Sequence, residues 1–107
     1  MKIYVDSSLF CSETGSIGRL HGAIELPFFP VPGCSVSFLR PSRNLTFPNI
    51  QGFDGVVKVD SIILDANCES DGVLALLGDI TVLSRHDAMT LADYLRDGFG
   101  VFLDESE

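Results

Sequence analysis

Apolar and polar positions alternate along most of this chain, and only one stretch has the spacing of a helix. Residues 2–6 alternate weakly and predict a first strand. Ser7 to Gly18 is rich in Ser and Gly and reads as a loop with some extended structure. From Arg19 the alternation is clean. Leu20, Gly22, Ile24 and Leu26 share one face, while Arg19, His21, Ala23 and Glu25 share the other, as in a half-buried strand. Pro27, Pro30 and Pro32 cannot donate ladder hydrogen bonds, so the strand ends there, and Pro32-Gly33 marks a turn. Cys34, Val36 and Phe38 alternate with serines and predict the next strand. A long connection with Pro41, Asn44, Pro48 and Asn49 follows.

The strongest β signal comes from two apolar, β-branched runs, residues 56–66 and 73–83, separated by Asn67 to Gly72. Two such runs around an Asp-Gly turn predict an antiparallel hairpin, with Gly78 at a bulge. Ser84 then offers an N-cap, with Asp87 three residues on, and Ala88, Leu91, Ala92 and Leu95 keep to one helical face. The helix predicted over residues 85–97 closes at Gly98, with Phe99 in the hydrophobic contact that follows such an ending. Val101 to Leu103 suggest a short last strand, and residues 104–107 read as a frayed tail. The pattern predicts an α+β fold: a curved or partly closed antiparallel sheet with one C-terminal helix on one face or open end. A flat sandwich is the runner-up.

Composition adds bounds. A chain of 107 residues is expected to form a single domain, 1–107, with a core that needs no metal or disulfide. The formal net charge of −8 repels phosphate backbones and anionic lipid headgroups, which argues against direct nucleic-acid binding and favours a basic protein partner. Cys11, Cys34 and Cys68 are odd in number and unpaired in spacing, which fits buried free thiols in a reducing cytoplasm. No run is apolar enough to predict a signal peptide or a membrane span.

Candidate chemistry is sparse. His21 lies on a polar strand face and His86 in the first helical turn, and no signature joins either to a nucleophile. Asp65 to Gly72 alternates oxygen ligands as a calcium loop does, yet Gly78 stands where the closing Glu would fall, so no metal is expected. Gly15, Gly18 and Gly22 lack the Lys-Ser/Thr ending of a phosphate loop, and no cofactor is expected. Two features suggest a contact surface. Phe28 and Phe29 sit on a proline-bounded segment that could expose them, although packing of at least one in the core is the expectation. Asp54, Asp60, Asp65, Glu69, Asp71 and Asp79 all fall on the predicted hairpin, against one basic residue, Lys58. The reading is a non-enzymatic, immunity-like or inhibitor-like protein that binds a basic partner. A ligand-binding or regulatory β-module is the alternative, followed by a small enzyme using His21 or His86; a homo-oligomer is left open.

Overall fold

The computed structural model describes residues 1–41, 44–64 and 73–105. Seven strands and one helix occur in the order β1 (Lys2–Cys11), β2 (Gly15–Glu25), β3 (Ser35–Ser37), β4 (Val56–Leu64), β5 (Val73–Leu77), β6 (Ile80–Val82), α1 (Arg85–Phe99) and β7 (Val101–Glu105). The strands form one sheet of order β3-β4-β5-β1-β2-β7, with β6 also paired to β1. The fold is α+β, as the pattern predicts. The sheet is open and mixed: every pairing is antiparallel except those of β1 with β5 and β6, which are parallel. No helix among the described residues is long and apolar enough to cross a membrane.

Ser7 to Gly18 read as a loop with some extended structure, and all but residues 12–14 are strand. They form the body of a long hairpin, β1 with β2, turned at residues 12–14. Ser7 is buried there because its hydroxyl donates to the Gly78 carbonyl at 2.7 Å. The hairpin register shifts between Leu9 and Phe10, and the extra residue, Ile17, is buried. The bulge returns an apolar side chain to the inner face, which alternation alone would have turned outward. Ile3, Val5, Leu9 and Cys11 of β1 join Leu20 and Ile24 of β2 in the core.

Residues 73–83, predicted as one strand of a simple hairpin, form two strands. β5 pairs with β4 as expected, but the strand breaks at Gly78-Asp79. The partner offset on β1 is 70 residues at Tyr4↔Leu74 and 71 at Leu9↔Ile80, so one residue is accommodated at the break. β6 thereby stays on β1 while leaving β4 behind. The loop expected at residues 67–72 lies outside the described residues.

The helix begins as predicted, with the Ser84 side chain accepting from the Asp87 N–H at 3.1 Å. It runs past Gly98 and closes at Gly100 (φ 71°), whose N–H reaches the Arg96 and Leu95 carbonyls. Gly98 is instead helical and buried, and a Cβ there would lie 2.7 Å from Pro41. Ala88, Leu91, Ala92, Tyr94 and Leu95 cover the inner sheet face. Asp104 and Glu105, expected to fray, are the end of β7.

Candidate functional site

The sheet does not close, and its gap is a cleft of about 850 Å³. One bank is the end of β2 from Ala23 onward; the other is β3. The helix end, through Gly98 and Phe99, and the segment from Pro27 to Val31 complete it. The lining is largely apolar, with Glu25 and Arg40 as its charged members. Aromatic packing fixes the helix side: Phe38 and Phe99 meet edge to face at 5.1 Å, and the Tyr94 hydroxyl donates to the Phe38 carbonyl. Burial pushes the Tyr94 phenol above its ordinary value.

Phe28 and Phe29 both line this cleft. The expectation that at least one would pack in the core is overturned: Phe28 is 80% exposed and Phe29 44%, and Val31 between the following prolines is 57% exposed. The prolines are the reason. They take the segment out of the sheet directly after β2, so no strand partner draws these side chains inward. Cys34, expected to be a buried thiol, is half-buried and lines the same cleft.

The described carboxylates of the acidic run gather elsewhere. Asp54 and Asp79 line a hollow of about 700 Å³ with Lys58 and Gly78. Asp60 stands beside it, within about 4 Å of where a Cβ on Gly78 would sit. Asp54 has a local structural task, since its side chain accepts from the Val56 N–H at 3.0 Å. Asp65, Glu69 and Asp71 lie outside the described residues, as do Cys68 and the calcium-like loop. Acids elsewhere are mostly neutralised nearby: Asp6 by Arg19, Glu105 by Arg85, Asp93 and Asp97 by Arg96, and Glu25 by the N-terminus. No ion pair reaches Asp54, Asp60 or Asp79 among the described residues.

Neither histidine lines the cleft or the hollow. His21 is exposed on β2, opposite Asp6 of β1 and Phe102 of β7. His86 is exposed in the first turn of α1. Cys11 is buried at the hairpin turn with Sγ 3.1 Å from the Thr14 hydroxyl. That hydrogen bond holds the thiol below its ordinary value, against burial, with backbone N–H groups of the turn helping. No group of three or more His, Cys, Asp or Glu among the described residues could hold a metal ion. In comparisons with known proteins, no family model, curated protein or solved structure matches this chain.

Proposed function

We propose that this is a small, acidic, non-enzymatic protein that docks on a basic protein and thereby neutralises or regulates it, in the manner of immunity and inhibitor proteins. The observation that carries the reading is Phe28, a large apolar side chain held in solvent with Phe29 and Val31 beside it. Contiguous exposed apolar groups at a cleft mouth favour a contact site over a plain surface. The net charge of −8, with Asp54, Asp60 and Asp79 in no ion pair among the described residues, favours a basic partner. The free thiols of Cys11 and Cys34 suit a reducing compartment, and the proposal places the protein in the cytoplasm.

The test is paired capture from the native host, with wild type and a Phe28→Asp/Phe29→Asp variant as baits at low and high salt. A basic protein should co-purify with the wild type alone, and less of it at high salt. An acidic partner, or capture indifferent to both changes, defeats the reading. A second reading rests on cleft size, which falls within the range of small-molecule sites. In that case an apolar small molecule would bind the cleft with an affinity that ignores salt.

A further inference from the structure

We propose that the cleft receives an extended segment of the basic partner as an added β-strand along the free edge of β3. This deepens the docking reading above and rests on it.

The register supplies the argument. Residues that hydrogen-bond to one neighbour alternate with residues whose N–H and C=O point the other way. At the two ends of β3, the Cys34 carbonyl accepts from the Val59 N–H and the Phe38 N–H donates to the Gly55 carbonyl, both at 2.8 Å. Cys34, Val36 and Phe38 therefore face β4, and the backbone groups of Ser35 and Ser37 point away from it. β4 is the one strand that β3 pairs with among the described residues. On the opposite bank, the Leu26 N–H donates to the Met1 carbonyl, so Ala23 and Glu25 turn their backbone groups away from β1. The ladder to β7 has already ended at Gly22↔Val101. Ala23, Glu25, Ser35 and Ser37 all line the cleft.

The cleft thus offers an apolar floor between two rows of amides and carbonyls that take no hydrogen bond among the described residues. An extended polypeptide on β3 would pair its backbone with that edge and set alternate side chains against the floor. The two sheet edges differ in a telling way. β7 carries Asp104 and Glu105, charges of the kind that guard an edge against pairing. β3 presents only serines outward beside an apolar surface.

Charge chooses the occupant. A second copy would bring another −8 against this face, so self-pairing is disfavoured. A strand on β3 would run about two strand spacings, roughly 10 Å, from β4, where Asp60 stands with Asp54 just before it. That is on the order of one Debye length, so lysines or arginines alternating with apolar residues would feel these carboxylates and Glu25 of the lining, in excess over Lys58 and Arg40.

The probes are an acetylated peptide alternating valine and lysine, the same peptide N-methylated throughout, and a version with glutamate for lysine. Two signals report occupancy in the intact protein: amide exchange at Ser35 and Ser37, and alkylation of Cys34, with Cys34→Ser identifying its signal. The valine–lysine peptide should slow exchange at Ser35 and Ser37 at least tenfold and slow Cys34 alkylation. The N-methylated peptide should do neither, and the glutamate version should bind at least several-fold more weakly. Ser35→Pro, which removes an outward N–H from an edge strand and spares the bonds to β4, should abolish the effect. If that variant fails to fold, the N-methyl comparison decides alone. Cys34 protection by both valine–lysine forms alike would mean an apolar cleft without strand addition and would overturn the proposal. So would absence of any peptide effect, equal binding of the glutamate version, or concentration-dependent protection of Ser35 and Ser37 without peptide, the sign of self-pairing. These outcomes are separable from the docking reading, which stands or falls on the Phe28→Asp/Phe29→Asp capture.

Discussion

At the scale of single residues, two side chains carry stability arguments that differ in how visible they are in the sequence. Ser84 precedes a run of helical spacing and needs no tertiary information to be read as a cap, and its bond to the Asp87 N–H is present. Ser84→Ala should lower stability by about 1 kcal/mol, measured as a shift in denaturant midpoint at unchanged slope. Tyr94 is the opposite case. Its hydroxyl's acceptor, the Phe38 carbonyl, lies 56 residues earlier, beyond any local pattern. Tyr94→Phe should cost about 1–3 kcal/mol, because a buried carbonyl loses its donor. The same pair sets a pH dependence. The folded phenol titrates above the unfolded one, so its contribution is fully present below the unfolded tyrosine value, about 10, and is lost as pH rises through the folded value. Alkaline melting curves should therefore fall more steeply for wild type than for Tyr94→Phe; parallel curves would remove Tyr94 from the effect. Phe28 and Phe29 mark where residue reasoning turned the wrong way. Apolar side chains are usually buried, and only the three-dimensional path of the prolines leaves these in solvent.

At the scale of elements, strands with clean alternation and the capped helix were legible, and those whose signals mimic loops were not. Serine and glycine in Ser7–Gly18 suggest a loop, yet Ser7 and Gly18, like Gly22 beyond them, have packing reasons within strands. Ser7 bonds the break between β5 and β6, and Gly18 and Gly22 let β7 lie against β2. A Cβ on Gly22 would sit 2.4 Å from the Gly100 carbonyl oxygen, a backbone atom that cannot rotate aside. Gly22→Ala should therefore destabilise the protein by about 3 kcal/mol, the upper range for overpacking, and should loosen β7 first. Hydrogen exchange at Val101 to Leu103 is the measurement; unchanged protection there would mean the strands part without strain. The run 73–83 predicts one strand because apolar residues fill both sides of Gly78-Asp79. The break is set by partners rather than propensity: β4 is matched through β5 alone, while β1 continues onto β6. Gly78 was the one local sign of it.

At the scale of the whole molecule, the acidity was legible from composition, but its grouping needed the fold. Asp60 stands on β4 and Asp79 in the break between β5 and β6, and they come to the same hollow only because β4 and β5 pair up to that break. The cleft had no sequence signal beyond its prolines, since it arises where two distant edges fail to meet. If the proposed docking is steered by charge, Asp60→Lys and Asp79→Lys should each slow association with the captured partner several-fold and flatten its salt dependence, with dissociation little changed. Both positions are exposed, so melting temperature should move little. An unchanged association rate would confine these acids to solubility. The parallel pairing of β1 with β5 has a further consequence, in the order of assembly. During synthesis β1 and β2 emerge first and can pair at once, but the other edge of β1 waits about seventy residues for its neighbour. β2 waits longer still, for β7. A nascent hairpin with both sides bare must pass the ribosome exit before the centre of the sheet exists. Folding should thus be slow for so small a chain, and an interrupted chain should be prone to aggregate.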